Sequence, residues 1–482
     1  MEAKETPLQL KTEEVSSNSE DIEKQVSRPT YSVIPRKRKF FILALVTLAG
    51  LLGPISGNIY IPLLPLLQDV FHVSATTING TVSVFMITFA FAPLLWASWA
   101  DFGGRKILYS VSLVFFILAN ILLAVVPANI GALYVLRIVQ AFGASSVISL
   151  GAGTVADLFS PKDRGKAISI FMIGPQIGPI IGPVLSSIGA KGQWRWIFGF
   201  LAIFGFVVYL VLLFFLPETL RYLVGDGECY GNGSWFVVPK LKQEKLVPES
   251  ERFPKPPRPS IKLIWKLLNY KPVLLCSING GLLFAAFYAM SISFSRVLKE
   301  KYHFSELHVS LSYICPGISL IGGSLLGGWS SDRLCQMLKK KDADTYIPEK
   351  RFSLQIVGLI ISMAGMVGYG WCIEKQVHVV AVFVFAFLSG FGMTWVFVSN
   401  TTYLTECTTG SPATNVAIGN LMRNVAAAIS SVIIDKLIKS MGYGWCFTGL
   451  AFTYLVGIGF VIILLKYGSK WRHEYSLPRT SK

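Results

Sequence analysis

Charge is scarce in this chain. Of its 482 residues 15% are charged and 52% hydrophobic, whereas an ordinary soluble domain is roughly a quarter charged. A soluble globular protein is excluded on that ground. Acid is scarcer than base, with 27 Asp and Glu against 44 Lys and Arg and a net charge of +17. The first apolar run holds no acid between Phe40 and Pro62. The seven cysteines (Cys229, Cys276, Cys315, Cys335, Cys372, Cys407 and Cys446) are scattered with no CxxC, which gives neither a disulfide framework nor a zinc site. The five histidines form no HExxH or paired ligand spacing, so neither a metal nor another bound cofactor is expected. A Walker A loop and a nucleophile elbow are also missing, and the chain does not read as an enzyme.

What is present is a series of apolar runs near twenty residues long, the mark of an all-α polytopic membrane protein. Twelve such runs can be counted, six between residues 40 and 216 and six between 272 and 466. Residues 1–39 read as a polar, disordered cytosolic tail, and the first apolar run comes too late and is too long for a secretory signal. That tail ends in the basic cluster Arg36-Lys-Arg-Lys39. Residues 217–271 form a linker loop stiffened by Pro254-Lys-Pro-Pro257-Arg-Pro259, and residues 467–482 form a C-terminal tail. An even number of spans puts both termini on one side. Lys and Arg gather in the loops of that side, while the first and second loops of the other side have none. The positive-inside rule therefore predicts cytosolic termini, tails and linker. The sequon Asn232-Gly-Ser234 would then be silent. This placement also accounts for the basic excess without nucleic acid.

The two halves carry a weak repeat. Trp99-Ala-Asp101-Phe-Gly-Gly104-Arg105-Lys106 follows the second span, and Gly327-Gly-Trp-Ser-Ser-Asp332-Arg333 follows the eighth. An Asp-led basic loop at the same place in each half is what a duplicated six-span unit predicts, and two such bundles with a site between them make a transporter architecture. Gly104 suits the tight reversal. Asp101 is expected to face a helix N-terminus of the other half, for which Ser411-Pro412 at the start of span eleven is a target, and Arg105 is expected to pair with an acid.

Within the fifth span, Gly174-Pro-Gln-Ile-Gly178-Pro179-Ile-Ile-Gly182-Pro183 repeats a Gly-Pro pair every four residues. On a helix that spacing makes one smooth stripe for close approach of another backbone, with bends at the prolines. The stripe is expected to pack between the halves. Arg137 lies inside span four, followed by Gln140, and an intramembrane arginine should face a cavity or a partner, or snorkel to the interface. Arg423 and Asn420 lie within span eleven. Asn58 and Tyr60 of span one, Gln176 of span five, Asn279, Phe284, Phe287 and Tyr288 of span seven, and Trp395 and Asn400 of span ten complete the cavity candidates. Aromatics beside a few amides suit an apolar, often cationic ligand. The same aromatics also suit plain packing. Asp69, Asp101, Asp157, Asp332 and Asp435 sit at membrane edges, and none stands out as a proton carrier.

These residues in this order resemble the major facilitator superfamily and, within it, the fungal twelve-spanner drug:proton antiporters. The loop pattern of that family matches at Asp101, Gly104, Arg105 and Lys106, with Ala97 and Phe102 as departures. Its span-four pattern matches at Arg137, Gln140 and Gly143, with Ala141 in place of one glycine. The antiporter signature matches at Gly174, Gly178, Pro179 and Gly182, with Pro183 in the last place. Gly57-Asn-Ile-Tyr-Ile-Pro-Leu-Leu-Pro65, Leu216-Pro-Glu-Thr-Leu-Arg221, Phe253-Pro-Lys-Pro-Pro257 and Gly444-Trp-Cys-Phe-Thr-Gly449 are similar to the yeast quinidine-resistance subgroup. The resemblance implies two pseudo-symmetric six-helix halves working by alternating access. It implies a monomeric plasma-membrane exporter of structurally diverse drugs, and of amino acids or weak acids, with the proton as coupling ion. The alternatives are an uncoupled facilitator or nutrient symporter of the same fold, and a membrane sensor or lipid-organising protein with little transport.

Overall fold

The computed structural model describes residues 32, 34–189, 193–224, 265, 268–341, 348–407 and 412–476. The expected N-terminal tail, the proline-rich stretch and sequon of the linker, Ser411 and the side chains of Asp101 and Asp332 lie outside the described residues. Among the described residues the chain is helical, without strands. Eleven stretches are long and apolar enough to cross a membrane. The last of them joins two helices across Gly442, whose φ of 77° is not helical, so there are twelve spans.

In chain order these are α1 (Arg36–Phe71), α2 (Ala75–Gly103), α3 (Arg105–Val125), α4 (Ile130–Leu158), α5 (Pro161–Leu185) and α6 (Arg195–Phe215). After the linker come α7 (Lys271–Glu300), α8 (Glu306–Ser331), α9 (Gln355–Glu374), α10 (Val379–Glu406), α11 (412–441) and α12 (443–476). Two boundaries differ from the sequence reading. Span one starts at the basic cluster and continues past Pro62 to Phe71 through a short 3-10 segment, Ile61–Leu63. The last helix runs to Ser476, well into the expected C-terminal tail.

Twelve spans put the start of α1 and the end of α12 at one end of the bundle, here called the terminal end, and the opposite end is called distal. The distal turns are tight and use a common device. His72 after α1, His303 after α7, Gln376 after α9 and Gly442 after α11 all have left-handed φ between 50° and 77°. A left-handed residue there ends a helix by turning the chain out of it. The next helices start with caps: Ser74 accepts from Thr77 N at 3.1 Å, Asn129 from Ala132 N at 3.1 Å and Ser305 from His308 N at 3.4 Å. Each cap satisfies one orphan donor of a helix start.

The two sets of six helices meet along two seams, α2 against α11 and α5 against α8. The Gly-Pro stripe is not at either seam, and this corrects the expectation that it packs between the halves. Gly174, Gly178 and Gly182 all face α1. A Cβ on Gly174 would sit 2.2 Å from the Thr47 carbonyl oxygen, one on Gly178 2.4 Å from Pro54 Cβ, and one on Gly182 3.0 Å from Ile59 N. The stripe is on the opposite side of α5 from Ile180, whose Cγ2 would lie 2.8 Å from a Cβ on Gly317 of α8. A period of four residues fixes one face but not which neighbour meets it, and α1 is also bent by Gly and Pro where the stripe lies against it.

Replacing Gly178 by Leu therefore should destabilise the N-terminal six helices themselves. Overpacking of this kind costs about 1–3 kcal/mol, read as a lowered thermal midpoint of the purified protein in detergent. Gly449→Ala, at a site with nothing within 4 Å, should leave the midpoint unchanged or raised. Equal midpoints for Gly178→Leu and the parent protein would refute the α1–α5 contact.

Candidate functional site

The distal end is closed by polar contacts between the two sets of helices. Asn79 of α2 donates to the Asp435 carboxylate of α11 at 2.7 Å. The other Asp435 oxygen is paired with Arg296 of α7. Arg296 in turn reaches back to the Gln68 side chain of α1 at 3.4 Å, and Lys299 pairs with Asp69 at 3.0 Å. Asp435 is buried, with 4% of its surface exposed, so this is a desolvated ion pair at the seam. One step deeper, Ser83 of α2 donates to the Ala428 carbonyl of α11 at 2.8 Å and meets the Ser431 hydroxyl. On the second seam Ser186 donates to Ser310 at 2.7 Å.

At the terminal end the described polar contacts stay within one half. Glu218, just after α6, accepts from the backbone N–H groups of Arg105 and Lys106 at 2.9 and 3.1 Å. It thereby caps the start of α3 with a negative charge. Gly104 permits this with a φ of +93°, and a Cβ there would lie 2.6 Å from the Glu218 carboxylate. The Arg105 side chain pairs with Asp157 of α4 at 3.1 Å, the acid partner the sequence called for. In the C-terminal half Glu349, fully buried, pairs with Arg472 at 3.1 Å and accepts from Tyr403 at 3.3 Å. Arg351, just before α9, donates to Ser331 at 3.1 Å. Arg333, read from the repeat as the counterpart of Arg105, is exposed and lies over Trp329 at 5.1 Å.

Between the two ends lies a pair of guanidinium groups. Arg137 of α4 is completely buried, so it does not snorkel. It donates to the Ser56 carbonyl at 3.1 Å and to Gln140 at 2.7 Å, and Gln140 donates onward to Asn120 at 2.6 Å. Its guanidinium lies over the rings of Tyr60 and Phe85 at 4.5 and 4.3 Å. Arg423 of α11 lies over Phe284 of α7 and Phe397 of α10 at 4.9 and 4.4 Å. Tyr288 donates to Asn58 at 3.3 Å across the two halves, and its ring is tilted against Phe284 at 5.0 Å.

The structure thus brings together Asn58, Tyr60, Arg137, Gln140, Phe284, Tyr288 and Arg423. It does not bring the other cavity candidates there. Asn279 is buried against Gly457 of α12, Asn400 accepts from Gln355 of α9 at 2.9 Å, Phe287 lies by Gly390 and Trp395 by Gly327. All four serve packing inside the C-terminal half. Gln176 meets Ser324 of α8 at 3.4 Å on the second seam. The Asn420 carbonyl accepts from Asn424 within α11. The aromatic faces expected to hold a cationic ligand are largely taken: those of Phe284 and Tyr60 each carry a guanidinium.

Sequence reasoning missed Asn79, Arg296, Glu218 and Glu349. Asn79 is a lone amide in an apolar run, which is a usable signal. Arg296 reads as an ordinary basic residue at a membrane edge, because its partner Asp435 is 139 positions away. Among the described residues no cluster of His, Cys, Asp and Glu could hold a metal.

Residues 46–431 match the Major Facilitator Superfamily. Dityrosine transporter 1 of Saccharomyces cerevisiae is 43% identical over 97% of this chain and 86% of its own length. Multidrug transporter DTR1 of Candida glabrata is 42% identical over 92% of this chain and 86% of its own. MFS antiporter QDR2 of Candida albicans is 29% identical over 98% and 97%. Among solved structures, a bacterial homologue of the human lysosomal transporter Spinster, inward-facing and unoccupied, gives a TM-score of 0.62 at 17% identity over 91% of this chain and 97% of that one. A D-xylose–proton symporter gives 0.64 at 16% identity over 87% and 97%. At such identities the solved structures share the fold alone. The helix count, the two seams and the sequence match lead to one conclusion: this chain is a multi-pass membrane transporter of the major facilitator superfamily, with fungal drug and dityrosine transporters among its relatives.

Proposed function

We propose that the chain is a proton-coupled exporter of the fungal plasma membrane, with both termini in the cytosol, acting on structurally diverse small molecules as a drug:proton antiporter. It works as a monomer by alternating access. The names of its relatives, a dityrosine transporter, a multidrug transporter and an antiporter, support export. The observation that carries proton coupling is the distal seam. A buried carboxylate, Asp435, holds Arg296 and Asn79 of opposite halves together. Only the ionised form can do so strongly, and removing one partner from a buried pair costs about 3–5 kcal/mol.

The coupling follows from that pair. With the termini in the cytosol, the distal end faces the outside. Protonation of Asp435 neutralises the charge that holds Arg296, and the outer end opens. Reclosing returns Arg296 to the carboxyl and displaces the proton into the bundle, from which it leaves toward the cytosol, so that one proton enters per cycle. Lys299, Asp69, Glu300 and Lys439 form the charged surroundings of this pair. The ionised carboxylate holds the distal end closed through Arg296 and Asn79, and neutralising it removes that hold.

Two outcomes are expected. In sealed vesicles containing the purified protein, an imposed proton gradient should drive flux of substrates found in a panel of drugs, amino acids and weak acids. Asp435→Asn should lose that drive by about tenfold or more, the scale of 1.4 kcal/mol, while still exchanging substrate. Gradient-independent flux in the parent protein, or full gradient response in Asp435→Asn, would contradict antiport through this residue. Separately, a cysteine placed at Ser431 in a background without native cysteines should react slowly with a membrane-impermeant maleimide from outside. Adding Asp435→Ala should speed that reaction several-fold, and no change would mean that the pair does not hold the outer end shut.

A further inference from the structure

We infer that the central site is built for an organic anion, an aromatic carboxylate, rather than for a cationic drug. The inference deepens the exporter reading by naming a substrate class, and it rests on that reading only for the site being a transport site. Three observations carry it.

The first is charge without counter-charge. Arg137 and Arg423 both lie inside the membrane-spanning bundle, Arg423 eleven residues into α11, which is about 16 Å along a helix. Neither has a carboxylate within ion-pair distance among the described residues. Intramembrane arginines are ordinarily paired with an acid or with backbone carbonyls. Arg137 has one carbonyl and one amide oxygen on Nη1 alone, and Arg423 has no described acceptor.

The second is unspent donors. Arg137 Nε and Nη2 and Arg423 Nε are buried and make no hydrogen bond. Arg137 is wholly buried, so water does not satisfy it in this closed-outside form. A guanidinium edge with free N–H groups is shaped to receive a carboxylate through two parallel bonds.

The third is that the aromatic faces are occupied. A cationic ligand is held by open aromatic faces. Here the Tyr60 and Phe85 rings carry Arg137, and the Phe284 and Phe397 rings carry Arg423. A cation entering either aromatic pair would meet a fixed positive charge. Tyr288 joins the two: its ring lies against Phe284, which carries Arg423, and its hydroxyl donates to Asn58, which stands between the Ser56 and Tyr60 that hold Arg137, so the Tyr288 ring is left to contact an aromatic body. The rings stacked under each guanidinium fix its plane and leave its edge free.

Binding tests this without requiring transport, so that a failure of export or of proton coupling leaves the result readable. The full chain, purified in lipid nanodiscs, is titrated at neutral pH with biphenyl-4,4'-dicarboxylate, with its dimethyl ester, and with a biphenyl diamine whose amines are alkylated and cationic. The dicarboxylate should bind at least about tenfold more tightly than the ester, equal to 1.4 kcal/mol, and the cation more weakly than either. Arg423→Gln should reduce the dicarboxylate to the affinity of the ester while leaving the ester unchanged, which also shows that the variant is folded. Arg423→Lys should keep part of the preference. If the cation or the ester binds as tightly as the dicarboxylate to the parent protein, or if Arg423→Gln keeps the preference, the inference is wrong. The parent-protein comparison stands alone if the variant does not fold.

Discussion

The contact on which this structure turns is the buried carboxylate of Asp435, shared between Arg296 and Asn79. It lies where two six-helix sets meet at the end away from the chain termini. Taking a charge pair out of water is costly, and it is repaid only when geometry and additional hydrogen bonds are good. Asn79 supplies one such bond, and Gln68 supplies another to Arg296. Such a pair is a weak source of stability and a good switch, because one proton removes the reason for the contact. The Ser83–Ser431 and Ser186–Ser310 contacts extend the same closure along both seams.

The rest of the architecture keeps that closure separable from the integrity of each half. The glycine stripe of α5 is spent on α1, giving a close pair inside the N-terminal half. The Glu218 cap of α3 and the Arg105–Asp157 pair tie the terminal end of that half to itself. Glu349 with Arg472 does the same for the other half. On the alternating-access reading proposed above, each half tilts as one body about the seams. The terminal end contributes no described polar contact between halves to oppose it. Contacts that hold one half together should change stability, and contacts at the distal seam should change the balance between two conformations.

Much of this was readable in the sequence. The twelve apolar runs needed only hydropathy. Arg137, Gln140 and Arg423 were readable because polar groups inside apolar helices demand partners. What was not readable was which neighbour a helix face meets. The Gly174–Gly182 stripe announces a close approach but not that the partner is α1, since helix spacing carries no tertiary address. Asn279 and Phe287 look like cavity residues in the same way, and they pack against α12 and α10. Asp435 passed for an edge acid because its partner Arg296 is far away in the chain. Phe284 suggested a cation site until the structure placed Arg423 over its ring.

The central claim is that one ionised carboxylate holds the outer end closed while the halves move as two bodies. Paired spin labels measure this directly. One pair, at Thr76 and Lys436, spans the distal end of the α2–α11 seam, and another, at Gly103 and Arg333, spans the terminal end. At neutral pH the distal distance should be short and the terminal distance long. On acidification the distal distance should lengthen by several ångströms as the terminal one shortens, and Asp435→Asn should show the acidic pattern at neutral pH. Distances that do not respond to pH, or that lengthen together at both ends, would contradict the account.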